Sequence, residues 1–305
     1  MAIKKKRKNI FVIITIVFLL IYSLVVLVRS LKESLLLNIR DRINIVFYGE
    51  ESMVVSFGIS DNVNYIVTFD NKDKVTVPGG YGRYPIGALG RLTEVEKDKK
   101  IIQKSFSSMI SGYVDFYIVP KKNIIYSDEK MHQESDRPEY IRRDLIARIF
   151  SQKEFTNITF LDKLLAASLI ARRRQQDFIF LKTYTSETEN DETLYSEKNF
   201  LKKYKGFFYH QSLREESEDV KIVYSTYKSA VILSRVIEGQ GIRVVDLALN
   251  KEDSTQKCII IYDEKKRSKT TYYLSQRFGC KVQKESVEGA DIIIILGKDL
   301  EKNWE

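Results

Sequence analysis

The chain has 305 residues, with 50 Lys and Arg against 41 Asp and Glu and a formal net charge of +9. Five of these cations lie in Lys4–Lys8, so the rest of the chain carries 45 basic against 41 acidic residues. This balance is typical of an ordinary mixed surface and excludes the clustered basic face of a nucleic-acid-binding protein. We therefore expect no nucleic-acid partner.

Residues Ile10–Val28 form an uncharged apolar run of nineteen residues. As a helix this run would extend roughly 28 Å, close to the hydrocarbon thickness of a bilayer. The basic cluster before it favours an N-terminus in the cytoplasm. No small-x-small cleavage site follows, so we predict an uncleaved anchor rather than a secretory signal or a buried soluble helix. The predicted protein is single-pass in the cell membrane, with a cytoplasmic tail (1–9), a transmembrane helix (10–28) and an extracytoplasmic remainder.

The two cysteines, Cys258 and Cys280, are too few for a disulfide framework. Both lie beside predicted strands, where a free thiol behaves as a small apolar residue. We expect buried thiols, with a single disulfide as the alternative. His132 and His210 are far apart and have no ligand spacing around them, so we expect neither a metal site nor a cofactor.

A juxtamembrane helix (29–42) and an α/β domain (43–184) are predicted after the anchor. In the domain, short β-rich segments alternate with helical patterns, which indicates layered sheets and helices. Thr159 and Asp162 resemble a helix-opening pair, and that helix ends near Arg172–Arg174. The other expected elements are strands Ile43–Tyr48, Met53–Ile59, Tyr65–Asp70, Lys74–Val77, Tyr113–Val119 and Asp177–Tyr184, a hairpin turn Asp70–Lys74, a helix over Thr93–Gly112 and a loop over Asp128–Arg137.

The polar segment 185–218 is predicted to connect this domain to a second one, over 219–305. In the second domain the pattern predicts the order β-α-β-β-α-β-β, with helices over Ser229–Gln240 and Lys269–Phe278 that end at glycines. The predicted fold class is therefore α/β (α+β), with an N-terminal transmembrane helix followed by two layered domains.

The second domain resembles the C-terminal domain of the LytR/CpsA/Psr envelope proteins over Asp219–Leu300. The resemblance is carried by VKIVYSTYKSAVILSRVIEGQGIRVVDLALN, by CIIIYDEKKRSKTTYYLSQRFG and by GADIIIILGKD. The family's Asn-Gly turn after the first strand is replaced here by Ser225–Ser229. The resemblance implies the fold and a place in the cell envelope.

Residues Ile43–Val119 resemble the catalytic domain of the same family, through INIVFYGEES, Ser60-Asp61, YIVTFDNKDKVTV and GYVDFYI. The resemblance implies transfer of a glycopolymer from a polyprenyl-pyrophosphate carrier to peptidoglycan, with arginines and an aspartate around the pyrophosphate. Here Gly79-Gly80 replace the Arg-Asp of the family motif, and Ile59 stands where an arginine would precede Ser60. These departures indicate a degenerate domain without that chemistry.

The candidate binding residues are Arg83 and Arg172, Arg173 and Arg174, because guanidinium groups pair with phosphate oxygens. Three consecutive helical residues point about 100° apart, so a solvated helix end is the favoured interpretation of the last three. The tract Gly79–Gly90 lacks a phosphate-loop pattern and favours a structural loop, in which Tyr81, Arg83 and Tyr84 line a groove. No catalytic residue is assigned.

The sequence leaves enzymatic activity undecided and favours a non-catalytic, membrane-anchored envelope protein that serves as a binding or scaffold module. Its expected partners are the membrane and either cell-wall polymer or other envelope proteins. The alternative is a divergent phosphotransferase that moves glycopolymer from a polyprenyl-pyrophosphate carrier to the cell wall, using Arg83, Arg91 or Arg172–Arg174.

Overall fold

The structure is a computed structural model that describes residues 2–38, 41–120, 139–151, 154–187, 193–250, 256–263 and 268–305. It is a mixed α/β protein with three sheets in these residues, which confirms the predicted fold class. The loop expected over Asp128–Arg137, and His132 with it, lie outside the described residues.

The helices of the described chain occur throughout its length, and two single 3₁₀ turns lie at Ile86–Ala88 and Gln175–Asp177. The α-helices are α1 (Ala2–Glu33), α2 (Leu35–Asn38), α3 (Leu89–Val95), α4 (Lys100–Ile110), α5 (Glu139–Phe150), α6 (Phe160–Arg172), α7 (Glu197–Tyr204), α8 (Gln211–Glu216), α9 (Tyr227–Gly239), α10 (Lys269–Phe278) and α11 (Lys298–Trp304).

The strands are short, as is usual for globular domains. They are β1 (Arg42–Phe47), β2 (Ser52–Gly58), β3 (Asn64–Phe69), β4 (Lys74–Val77), β5 (Gly82–Pro85), β6 (Phe116–Pro120), β7 (Glu154–Thr156), β8 (Phe178–Leu181), β9 (Thr185–Glu187), β10 (Thr193–Tyr195), β11 (Asp219–Tyr224), β12 (Arg243–Leu249), β13 (Ile259–Tyr262), β14 (Lys281–Lys284) and β15 (Ile292–Ile295).

Within α1, residues Ile14–Lys32 are long and apolar enough to cross a membrane, with a mean hydropathy of 2.4. The predicted juxtamembrane helix is divided: α1 continues to Glu33, and the four-residue α2 follows before β1 begins at Arg42. The chain therefore passes from the apolar helix into the first sheet within nine residues.

The first sheet has six strands in the order β7-β6-β1-β2-β3-β8 and is covered on both faces. Successive side chains of a strand point to opposite faces, so Ile43, Ile45 and Phe47 of β1 enter the core beneath α5 and α6. Val46 and Tyr48 enter the opposite core, which α3, α4 and α7 cover. Each of these five side chains is at most 2% exposed.

The hairpin expected at Asp70–Lys74 is wrong, although the turn itself forms, with Asp73 N donating to Asp70 O at 3.1 Å. The chain leaves the first sheet after β3, and β4 belongs to a second sheet of order β5-β4-β10-β9. A strand pattern in the sequence does not show which strand is the hydrogen-bonded neighbour. The prediction therefore paired each strand with the next one in the chain.

The single helix predicted over Thr93–Gly112 is also wrong, because the structure has two helices there. Lys97 has a left-handed φ of 54°, which ends the first helical segment. The Asp98 carboxylate then accepts a hydrogen bond from Lys100 N at 2.8 Å, so a new helix starts at α4. By contrast, the pair Thr159–Asp162 opens α6 as predicted, with Asp162 N donating to Thr159 Oγ1 at 3.2 Å.

The segment 185–218, predicted as a connection, has its own strands and helices. Four of its aromatic side chains are buried in the core shared with β3 and α4, namely Tyr195, Phe200, Tyr204 and Phe208. The division of the chain into two domains stays a prediction. The structure adds that the connection is packed against the first of them.

The second unit, residues 219–304, has the predicted order β-α-β-β-α-β-β, followed by α11. The first unit is the part of the described chain from β1 to α8. Its sheet has the order β12-β11-β15-β13-β14, with β15 antiparallel to β13 and the other pairs parallel. The ends of β15 are held by contacts of the backbone and of the Asp291 side chain. Asp219 N donates to the Asp291 carboxylate at 2.8 Å, and Asp291 N donates to Asp219 O at 2.9 Å. At the other end, a Cβ on Gly297 would lie 2.3 Å from the Lys257 carbonyl carbon.

Cys258 and Cys280 form a disulfide, which corrects the expectation of two free thiols. The physical reason is strand pairing: β13 and β14 are parallel neighbours, with Ile259 opposite Lys281, so the preceding residues face each other. The sequence places each cysteine beside a strand but does not show that the two strands are adjacent.

The two units meet closely where α9 passes the end of α4. A Cβ on Gly239 would lie 1.6 Å from the carbonyl oxygen of Ser111, whose left-handed φ of 48° turns the chain at that point. Only a residue without a side chain allows this approach.

We expect Gly239→Ala to destabilise the protein by about 1–3 kcal/mol or more, since the methyl group must displace backbone. The measurement is urea unfolding followed by the fluorescence of Trp304, the single tryptophan. Lys228→Ala, at an exposed position of the same helix, should change stability by less than about 0.5 kcal/mol. Equal midpoints for Gly239→Ala and the parent would contradict the close packing.

Candidate functional site

The predicted binding arginines lie at two separate places. Arg83 is exposed on β5 in the second sheet, whereas Arg172 ends α6 beside the first sheet and Arg173 and Arg174 follow it. Among the described residues no hydrogen bond, ion pair or cavity contact joins Arg83 to the other three. The structure therefore does not bring the four together as one anion site.

The three consecutive arginines have different surroundings, and only Arg172 is helical, because α6 ends there and Arg173 is extended. Arg172 is exposed in the last turn of α6. Arg173 donates from Nη2 to the carbonyl oxygen of Gly58 at 3.3 Å, which ties the helix to the first sheet. The backbone of Arg174 donates to the Asp177 carboxylate at 2.6 Å, which leaves its guanidinium group for other contacts.

A cavity of about 470 Å³ lies at this end of the sheet, lined by Arg174, Gln176, Phe178 and Phe180. Phe178 packs edge-on against Phe57 with 5.9 Å between ring centroids, so one wall is fixed to the core. Phe180 is 50% exposed. A guanidinium group, an amide and an aromatic face together can bind a sugar ring that carries an acidic group.

The glycine tract has a structural role in the described chain. Gly79 and Gly80, both at positive φ, donate their N–H groups to the carbonyl oxygen of Glu305 at 3.0 and 3.2 Å. Tyr48 Oη donates to Gly87 O at 2.7 Å and accepts from Gly90 N at 2.9 Å. Burial raises the pKa of Tyr48 to about 12, so this hydroxyl stays protonated. These contacts agree with the structural interpretation of the tract.

A buried arginine that the sequence analysis missed lies at the start of β1. Arg42 is 2% exposed, and its Nη2 is 2.7 Å from the Asp61 carboxylate. It also donates from Nη1 to Ser56 Oγ at 3.0 Å and to Val63 O at 3.2 Å, and it lies 5.1 Å from the ring centroid of Tyr65. Its position at the end of the predicted juxtamembrane helix (29–42) concealed this role. The one available signal was an arginine directly before an apolar strand.

A buried ion pair lies where the two units meet, at a contact between α10 and the segment before β6 that we call the joint. Arg277 Nη2 of α10 lies 2.5 Å from the Asp115 carboxylate, with side chains 7% and 0% exposed. The other carboxylate oxygen accepts from Asn44 N at 2.8 Å. The guanidinium group lies between the rings of Tyr113 and Tyr273, at 5.2 and 5.3 Å from their centroids.

His210 lies in the same joint, 5.1 Å from the ring of Tyr273 between centroids, and its backbone N–H donates to Gln240 O at 2.9 Å. Burial, together with the smaller effect of the nearby Arg277 charge, lowers the pKa of His210 to about 3. The imidazole is therefore neutral throughout the physiological range. Its ring packs against Tyr273 where the two units meet.

No protein-family model matches the chain, and no curated protein matches it. Solved structures resemble part of it. TagV from Bacillus subtilis is 13% identical with a TM-score of 0.38, covering 53% of this chain and 94% of that chain. TagU from Bacillus subtilis is 11% identical with a TM-score of 0.36, covering 55% and 95%. TagT bound to LIIa-WTA is 10% identical with a TM-score of 0.37, covering 53% and 88%. Similarity of this size assigns neither a family nor an activity.

We expect Arg277→Gln to destabilise the folded protein by about 3–5 kcal/mol at pH 7, because it leaves the Asp115 carboxylate buried without a counter-charge. Burial raises the pKa of Asp115, and without Arg277 only the hydrogen bond from Asn44 N opposes this effect, so the pKa rises further. The folded state then binds a proton more readily than the unfolded state, so the loss should shrink as the pH falls toward 5.

The measurement is urea unfolding of the parent, of each single variant and of Arg277→Gln with Asp115→Asn, at both pH values. The double variant should regain part of the stability lost by Arg277→Gln. Strict additivity of the two changes would contradict a direct pairing.

We expect the free energy of unfolding to fall by about 1.4 kcal/mol per pH unit below about pH 6.5 because of His210. The unfolded histidine takes up a proton there and the folded one, with a pKa of about 3, does not. His210→Gln should remove this slope, whereas Gln211→Ala, at an exposed neighbour, should keep it. Urea midpoints between pH 7.5 and 4.5 measure the difference, and identical slopes in all three proteins would refute the assignment.

Proposed function

We propose that the chain is a membrane-anchored envelope protein that holds a rigid, non-catalytic binding module outside the cytoplasm. The observation that carries this proposal is that buried arginines and carboxylates are paired with each other. In the described residues, the arginines that face carboxylates in the interior do so as structural pairs, as in Arg42–Asp61 and Arg277–Asp115. Such pairs stabilise a fixed arrangement and leave no free acid or base beside a substrate.

Two observations support the extracytoplasmic placement. The apolar part of α1 is preceded by Lys4–Lys8, which favours retention of the N-terminus in the cytoplasm. The disulfide between Cys258 and Cys280 is typical of a protein that matures in an oxidising compartment. Both point to the same side of the membrane for the two units.

The proposed ligand is an anionic cell-wall glycopolymer, bound at the cavity beside Arg174. Its lining offers a cation for an acidic group and the faces of Phe178 and Phe180 for a sugar ring. Arg172, exposed at the end of α6, provides a second cation nearby. Arg83, on the second sheet, would contact a more distant part of a long polymer.

A second candidate is the glycopolymer transfer implied by the family resemblance. It is favoured by one observation: the structure places an arginine, Arg42, against Asp61, although the sequence lacks one at position 59. Four contacts hold this guanidinium in the interior, which favours a structural role. Asp61 is 31% exposed and is the group to test.

We expect the full chain in lipid nanodiscs to co-sediment with purified cell-wall polymer more strongly than an unrelated single-pass protein does. Arg174→Gln should lower the bound fraction several-fold, because the bond to the acidic group is lost. Lys202→Gln, an equal charge change at an exposed position of α7, is the matched control and should bind like the parent.

Binding equal to that of the unrelated protein, or equal loss of binding in both variants, would refute the proposed site.

The same nanodiscs are supplied with a lipid-linked glycopolymer and a divalent metal to test transfer. Covalent product that disappears with Asp61→Asn would replace the binding proposal by the second candidate, and the absence of product across donors would remove that candidate.

A further inference from the structure

Helix α6 lies across the first sheet instead of along its strands. It begins four residues after β7 and ends six residues before β8, and these strands form opposite edges of the six-stranded sheet. A helix that connects the two edges must pass beneath the strands between them. Its buried side chains, which include Ala166 and Ile170, pack against the sheet.

Both ends of α6 lie beside the chain that leaves the membrane-spanning helix. At its start, the Asp162 carboxylate accepts from Ser34 Oγ at 2.5 Å and from Leu36 N at 3.1 Å. At its end, Arg173 donates to Gly58 O, and Gly58 pairs with Arg42 at the beginning of β1. Since α1 ends at Glu33, α6 therefore lies at the end of the sheet that receives the anchor.

The outward face of α6 is apolar although it is exposed. Phe160 is 73% and Leu164 is 46% exposed, and Ala167 and Ala171 continue the same face at i+7 and i+11. A soluble helix in this position would present polar residues to water. Within α2, Leu37 is also 44% exposed and extends the apolar surface toward the anchor.

Cationic side chains border this face. Lys163 lies on its side, and Arg172 and Arg174 are exposed at its end. Long cationic side chains can extend to lipid phosphates while the apolar residues between them enter the acyl boundary. The combination fits an anionic membrane surface better than it fits an apolar protein partner.

We infer that α6 is a second membrane contact, lying in the headgroup region beside the anchor with Phe160 and Leu164 inserted. This inference rests on the membrane anchoring proposed above. The inserted helix gives the first sheet a second point of contact with the bilayer, and two contacts define its orientation where one does not.

The test uses tryptophan fluorescence of the full chain in nanodiscs of phosphatidylcholine and phosphatidylglycerol, with bromine on the upper part of the acyl chains. Phe160→Trp is compared with the parent, whose Trp304 is 5% exposed and packs against Phe278. Bromine quenches on contact, so Phe160→Trp should lose most of its added emission. Val95→Trp, 67% exposed at the end of α3 on the opposite side of the sheet, should lose little.

Equal quenching of the tryptophans at positions 160 and 95 would overturn the inference. Absence of quenching at position 160, because another protein covers this face, would also overturn it. Val28→Trp, at the end of the apolar span nearer the first sheet and at the depth of the bromine, tests the anchor separately. Quenching at position 28 without quenching at position 160 rejects the contact of α6 alone. No quenching at position 28 rejects the anchor itself. Urea midpoints equal to that of the parent establish that each variant is folded.

Discussion

The ion pair between Arg277 and Asp115 is the contact on which the arrangement of the two units depends. Both groups are removed from water, and the cost of that transfer is offset only when the geometry and the surrounding hydrogen bonds are nearly complete. Asn44, on the first strand, donates to the same carboxylate. A shift of either unit would separate these partners, so the joint permits one relative position. The aromatic rings on either side of the guanidinium exclude water from it.

The start of the first strand connects most of the remaining structure. Asp41 accepts a hydrogen bond from Ser212 of α8 at 3.0 Å, Arg42 holds the turn that contains Asp61, and Asn44 reaches the joint. The apolar helix α1 ends eight residues before Asp41. One short stretch of chain thus links the first sheet to the second unit close to the end of α1. A change in the position of this stretch would therefore be felt by both units.

The sequence predicted the elements that local physics determines. The capping pair of α6, the buried strand β1 and the order of elements in the second unit depend on neighbours in the chain, and all were found. The errors arose where distant segments meet. The pairing of Cys258 with Cys280 follows from two strands becoming adjacent, and the burial of Arg42 follows from a turn nineteen residues away. The cavity at Arg174 shares this origin, since β8 approaches α6 only in the folded sheet.

The central strand of the second unit consists of four isoleucines, which has a consequence for how its register is chosen. Displacing an ordinary strand by one residue exchanges its apolar and polar faces, and the energetic penalty enforces alignment. Ile292–Ile295 would present the same side chains to both neighbours after such a slip. Alignment must then come from the residues that flank the strand. The Asp291 carboxylate accepts a hydrogen bond from Asp219 N, and the lack of a side chain at Gly297 allows the neighbouring backbone to approach closely there. Because the strand is uniform in composition, its register is determined at its two ends and not by its middle.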